Sequence, residues 1–323
     1  MNQAMTPATP PDRTPPHGSG VAAKNSVFRE IRWPLSWLAA AIIGITATLI
    51  LYVIESEKKS ETAQLQAIGA LKTRQLNDWL AERQRDTHLL RISPFLGIAY
   101  QRWRQQGDTV SRDRMFERLA TYRGKGSFQQ VMLLDAEGEP LWDSNLPDST
   151  QRPVISQTTR ARVIAAVDPD RSVLLGPYVD EAGRTHLDFV FRLTLPEGEP
   201  GPIVIMHSDA GDYMSAAMRA WPVPSESGEA LLLRRDNDRV EIISDVRFPT
   251  GPFRKLSVPI ADEKSLLAQA FSPRHPPGSL LEGQDYRQKD AHGIALAIPG
   301  TDWVLLAKKN CSETRANSLN QVI

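Results

Sequence analysis

Between Trp33 and Ile54 the chain carries 22 residues without a charge. At about 1.5 Å rise per residue, a helix over this run measures about 33 Å, enough for a hydrocarbon core about 30 Å thick. Ala, Ile and Leu dominate it, with Trp33 and Trp37 at one end and Tyr52 at the other, as interfacial aromatics are placed. Two other readings compete. A buried core helix of this length normally shows a polar stripe. A cleaved leader is normally shorter than the segment before Pro34, and "YVIESEKK" offers no small-x-small cleavage site. The expectation is an uncleaved signal anchor that spans a membrane once.

Orientation follows from the bases beside the span. Arg13, Lys24, Arg29 and Arg32 precede it, whereas Lys58 and Lys59 follow it among Glu55, Glu57 and Glu61. Positive charge stays inside, so the N-terminus is expected in the cytoplasm of a bacterial cell and the bulk outside its inner membrane. Residues 1–33 are read as a disordered cytoplasmic tail, because the Pro-, Thr-, Gly- and Asn-rich stretch at 1–28 has almost no large apolar side chains. Beyond residue 54 there are 34 bases against 36 acids, so no basic field invites nucleic acid. The lone Cys311 cannot form an internal disulfide, which fits a periplasm without requiring it.

After the span at 34–54, residues 55–92 contain no proline and place Leu65, Ile68, Leu76, Trp79, Leu80 and Leu90 near one helical face. This predicts a long stalk helix, with a face left for its own domain or for a second copy. A second helical pattern runs from Phe95 to about Tyr122. The period then changes to two. "FQQVMLLDAEGEPLWDS" reads as a hairpin, a short helix follows near Gln157–Ala166, and "SVLLGPYVDEAGRTHLDFVFRLTL" is a second hairpin. "GPIVIMHSD" is a further strand before a helical "AGDYMSAAMRAW". The same grammar recurs in "EALLLRRDNDRVEIISDV", "KLSVPI", helical "EKSLLAQAF" and three strands in "GSLLEGQDYRQKDAHGIALAIPGTDWVLLAKK". The fold class is therefore α+β: an N-terminal transmembrane helix continuing into a stalk helix, then two antiparallel-sheet modules at 93–219 and 220–309, with a polar tail at 310–323.

This arrangement resembles the double Cache (tandem PAS-like) sensor domains of bacterial transmembrane receptors. "LKTRQLNDWLAER" is similar to the end of that family's stalk helix, "VMLLDAEGEPLWDS" to its first distal hairpin, and "LGPYVDEAGRTHLDFVFRL" with "PIVIMHSD" to its closing distal strands. "WPVPSESGEALLLRRDNDRVEIISDVR" and "EGQDYRQKDAHGIALAIPGTDWVLLAKK" are similar to the membrane-proximal module and its last strand. The resemblance implies the input half of a histidine kinase, diguanylate cyclase or chemoreceptor. In the family the "WVLLAKK" strand leads to a second membrane helix and an output domain; here the 14 residues "NCSETRANSLNQVI" follow it. Two expectations stand open: an input half cut from a longer protein, or a gene that lost its output.

The resemblance also implies a small-molecule ligand held in the distal module, and it points to seven residues. Trp142 and Asp143 close the first hairpin, Tyr178 and Asp180 precede the "EAG" turn, and Asp188 and Arg192 share a face of one strand. Asp209 ends the next strand, where the family often places a carboxylate that pairs with a ligand amine. Each has a plainer reading: Trp142 as core, Asp180 as a turn former, Asp188 with Arg192 as a cross-face pair, and Asp209 as a helix cap. Phe189 and Phe191 fall on the opposite, core face, Trp303 is assigned to the proximal core, and His186 and His207 read as surface or strand residues. The family's full amino-acid-binding signature is not evident, which leaves the ligand class open.

Six scattered histidines without H-E-x-x-H or paired cysteines predict no metal site, and no cofactor is expected. No G-x-S-x-G elbow or Walker loop is present, so a membrane-tethered hydrolase is the weakest alternative and the chain is expected not to be an enzyme. A protein–protein interaction or dimerisation module is the other alternative. The expected partners are a small molecule, the membrane and a second copy through the stalk.

Overall fold

The computed structural model describes residues 22–124, 128–146, 151–179, 185–196, 198–248, 256–314 and 316. They fall into two compact units, Met1–Ser60 and Glu61–Ile323. Helix α1 (Ala22–Arg91) begins inside the segment expected to be disordered. That expectation is corrected for residues 22–33: Ala22 to Trp33 contains neither Pro nor Gly and several good helix formers, so the helix extends backward from the apolar run. The tail residues 1–21 lie outside the described residues.

In the first unit the apolar run is uncovered, with Trp37 71% and Ile43 68% exposed. The hydroxyls of Thr46 and Thr48 donate back to Ile42 O and Gly44 O, each at 2.8 Å, so neither is left needing water. Among the described residues α1 is the one helix long and apolar enough to cross a membrane.

In the second unit, α1 is followed by α2 (Pro94–Gln106) and α3 (Thr109–Ala120). The sequence pattern read as one helix from Phe95 to Tyr122 is in fact two. Gly107, at φ 71°, caps α2, and the Asp108 carboxylate accepts from Val110 N and Ser111 N to start α3. The distal sheet comprises β1 (Gln130–Leu134), β2 (Pro140–Asp143), β3 (Val173–Val179), β4 (Thr185–Arg192) and β5 (Ile203–Asp209). Helix α4 (Gln157–Ala166) precedes β3, and α5 (Gly211–Arg219) follows β5. The proximal sheet comprises β6 (Glu229–Asp236), β7 (Arg239–Ile242), β8 (Ser257–Pro259), β9 (Leu280–Gln284), β10 (Asp290–Ala297) and β11 (Trp303–Asn310). The predicted "EKSLLAQAF" helix shrinks to α6 (Leu266–Gln269), because Lys264 O is committed to Gln284 N at 2.7 Å.

Both sheets are antiparallel and share one connectivity. The distal order is β2-β1-β5-β4-β3. The proximal order, β8-β7-β6-β11-β10-β9, repeats it with β8 added at one edge. One face of each sheet enters a single core with α1: Leu76, Trp79 and Leu80 of the helix cluster with Leu187, Phe189 and Phe191, and also with Ala230, Leu232, Trp303 and Leu305. Trp303, at 1% exposure, is core as expected. The opposite faces carry separate clusters: Met132, Val190, Ile203 and Ile205 under Val163 of α4, and Leu231, Leu233 and Leu306 under α6.

Two polar assemblies tie the ends of the proximal sheet. Lys308, fully buried, reaches Asp285 at 2.8 Å and Glu229 at 3.0 Å, and Arg287 also binds Asp285 at 2.8 Å. Glu61 of α1 meets His292 of β10 at 3.0 Å and accepts from the Thr314 hydroxyl beyond β11. Beside Thr314, Glu313 accepts from Ser225 Oγ at 2.8 Å and Ser227 N at 2.8 Å.

Burial disfavours the charged forms of these acids, but their partners outweigh it. Lys308 and Arg287 hold Asp285 below the usual 3.8, His292 and Thr314 hold Glu61 below 4.5, and Ser227 and Ser225 do the same for Glu313. A depressed carboxylate contributes stability that is complete above its unfolded value and is lost as pH falls through its folded one. The melting temperature should therefore hold level down to about pH 5 and fall steeply below about pH 4. A melting temperature that does not fall in acid contradicts these pairings. A second expectation concerns Gly201, where an added Cβ would lie 1.8 Å from Leu193 O. Gly201→Ala should cost about 3 kcal/mol or more in urea unfolding, and an unchanged midpoint would show that this strand approach is wrong.

Candidate functional site

Alternation along β4 sends Leu187, Phe189 and Phe191 to the α1 core, which leaves His186, Asp188, Val190 and Arg192 on the other face. Pairing with β5 sets Asp188 opposite His207 and His186 opposite Asp209. On β3 the register shifts between Leu175 and Tyr178, so one extra residue is accommodated and Tyr178 stands opposite His186. The carbonyl of Gly176, within this shift, accepts from Arg234 of β6 at 3.1 Å.

Four side chains converge there. The Tyr178 hydroxyl donates to Asp188 Oδ2 at 2.8 Å, and His207 Nδ1 lies 2.7 Å from Asp188 Oδ1. Asp188, only 2% exposed, can only accept when ionised, so His207 carries its proton on Nδ1 and presents Nε2 away from the carboxylate. The His186 and His207 rings sit 4.4 Å apart. Helix α4 covers this end of the face. Ser156 caps it by accepting from Thr159 N, which fixes the phase of its arginines. Arg160 turns to Glu139 at 2.5 Å, whereas the Arg162 guanidinium lies over the Tyr178 ring at 4.6 Å.

Of the seven residues expected at a site, Tyr178 and Asp188 are in this cluster. Asp143 shares their face through the pairing of Met132 with Asp143, but it is held by Gln130 Nε2 at 2.6 Å and Asn145 N at 2.8 Å. Asp209, also on this face, accepts from Gly211 N at 3.2 Å at the start of α5, whose N-cap position is taken by Ala210. Arg192 shares the face of Asp188 but is not its partner: four residues separate them by about 13 Å, and Arg192 donates instead to Gly201 O at 3.0 Å and Ala136 O at 3.3 Å. Trp142 is on the opposite face, stacked on Phe116 with ring centroids 5.0 Å apart, as its core reading has it. Asp180 lies outside the described residues.

His186, His207 and Arg162 were not anticipated. His186 is on a strand but buried at 3% exposure, not at the surface. The signal was present: His186 stands two residues before Asp188, and His207 two before Asp209, so alternation alone puts each beside an acid. Arg162 gave no such signal, since the packing of α4 on the sheet decides where it points. Among the described residues no group of three His, Cys, Asp or Glu side chains could hold a metal ion.

No family model matches the chain, and no curated protein matches it. Solved structures do. The ligand-binding domain of the Campylobacter jejuni chemoreceptor Tlp3, in complex with L-valine, matches with a TM-score of 0.55 at 11% identity, over 82% of this chain and 98% of that one. The ligand-binding domain of the Pseudomonas fluorescens chemoreceptor CtaA, in complex with L-leucine, matches at 0.54 and 16% identity, over 81% and 99%. The extracellular domain of the histidine kinase rpHK1S-Z16 matches at 0.56 and 14% identity, over 80% and 98%. With a stalk helix against two antiparallel sheets of one shared connectivity, the chain has the double Cache fold of extracytoplasmic sensor domains.

Proposed function

We propose that the chain is a membrane-anchored extracytoplasmic sensor whose distal module binds a small molecule. The observation that carries this reading is the Tyr178–Asp188–His207 cluster on the sheet face turned away from the α1 core. Specific binding sites set a few convergent polar groups beside apolar surface, and Val190, Ile203 and Ile205 supply that surface on the same face. The structural neighbours include sensory domains in complex with L-valine and L-leucine.

In this reading the uncovered run of α1 spans the inner membrane once with its N-terminus in the cytoplasm. Residues 93–219 form the membrane-distal module and 220–309 the proximal one. Two copies pair in parallel through the stalk; Leu71 (44% exposed) and Leu89 (60% exposed) offer apolar surface for that contact. Ligand binding shifts the balance between two arrangements of the distal module only by its differential affinity for them.

The test is a thermal-shift screen of the full chain in detergent against amino acids, organic acids and amines. At least one class should raise the melting temperature, and Asp188→Asn or His207→Ala should abolish that rise. Because Asp188 is buried and doubly bonded, Asp188→Asn should also lower basal stability by about 1–3 kcal/mol. A folded protein that responds to nothing in the screen ends the small-molecule reading.

A further inference from the structure

We propose that the distal site takes a small organic carboxylate that lacks an ammonium group, held by the Arg162 guanidinium. This rests on the sensor reading above and names its ligand class. Donors and acceptors on the sheet face beneath α4 are unequally matched among the described residues. An ammonium ligand needs acceptor oxygens, and each described acid of this face already accepts at least one hydrogen bond. Asp188 accepts from Tyr178 at 2.8 Å and pairs with His207 at 2.7 Å. Asp143 accepts from Gln130 Nε2 and Asn145 N, and Asp209 from Gly211 N. At 2% exposure, Asp188 is also closed to a further strongly hydrated partner.

The donors are not matched in the same way. Arg160 and Arg192 bond Glu139 and the carbonyls of Glu137, Ala136 and Gly201. Arg160 Nε and Arg162 Nε are both buried without an acceptor among the described residues, but only Arg160 also has its terminal nitrogens engaged, on Glu139 and Glu137 O. A buried donor left without an acceptor is a standing cost that a ligand acceptor removes. The guanidinium is planar and its stacking on Tyr178 orients it, so it can offer two parallel N–H groups to one carboxylate. Among the described residues the Arg162 guanidinium is a donor group without an acceptor, and an anion answers it.

Isothermal titration of the full chain in detergent, with matched probes, tests this. Propionate, L-alanine and propylamine form one set; 4-methylpentanoate, L-leucine and 3-methylbutylamine form a second. The plain carboxylate of a set should bind at least tenfold tighter than its α-amino partner, and the amine should not bind. Arg162→Ala should weaken the carboxylate at least tenfold, and Arg162→Lys should restore only part of that loss because it keeps charge but not the fork. Circular dichroism of both variants checks that they remain folded. If α-amino acids bind and bare carboxylates do not, with binding lost in Asp188→Asn and kept in Arg162→Ala, the carboxylate assignment falls and the sensor reading stands. Carboxylate affinity unchanged in both Arg162 variants also overturns the assignment. If no probe binds, the assignment falls, and if the wider screen is blank too, the sensor reading falls with it.

Discussion

Burial of one face of two sheets against one helix is the constraint on which the rest depends. Leu76, Trp79 and Leu80 of α1 share a core with distal Phe189 and Phe191 and with proximal Trp303 and Leu305. Gly69 permits the close approach, since a Cβ there would already lie 3.2 Å from Leu296 Cδ1 and 3.8 Å from Ala307 Cβ. Each large side chain enclosed this way contributes about 1.5–3 kcal/mol relative to exposure. Because each sheet gives one face to the helix, polar chemistry is left to the other.

The two modules use that second face differently. Both combine an apolar cluster with a charged end, as their shared strand order would lead one to expect. In the proximal sheet the charges close on themselves: Lys308 meets Glu229 and Asp285, and Arg287 meets Asp285. A buried cation matched this completely fixes geometry more than it adds stability. In the distal sheet Asp188 is matched by Tyr178 and His207, yet the neighbouring arginine of α4 keeps a buried donor in reserve. The two charged ends therefore differ in how closely their partners match.

Much of this was legible in the residue pattern. The period of two in "THLDFVFR" assigned Phe189 and Phe191 to the core, and the helical spacing of Leu65, Ile68, Leu76 and Leu80 named the buried stripe of α1. Tyr178 and Asp188 of the polar cluster were named through resemblance, and alternation would have added His186 and His207. What could not be read depends on packing or on a single backbone shift. The bulge before Tyr178 changes which residue faces His186, and Arg162 reaches Tyr178 only because α4 lies across the sheet. Trp142 and Arg192 show the converse. Their chemistry suits a binding site, but the first stacks on Phe116 in the core and the second is drawn to backbone carbonyls at the far end of the strand.

The double-sided burial of β11 limits how movement can pass along it. Trp303, Leu305 and Ala307 face the helix, while Leu306 and Lys308 belong to the opposite layer. Sliding the strand by one position would exchange the two sets, driving an ammonium group into hydrocarbon and leaving two carboxylates without their counter-ion. A piston stroke of a single residue is therefore forbidden to this strand. The strand can be displaced only together with the neighbours it is paired to.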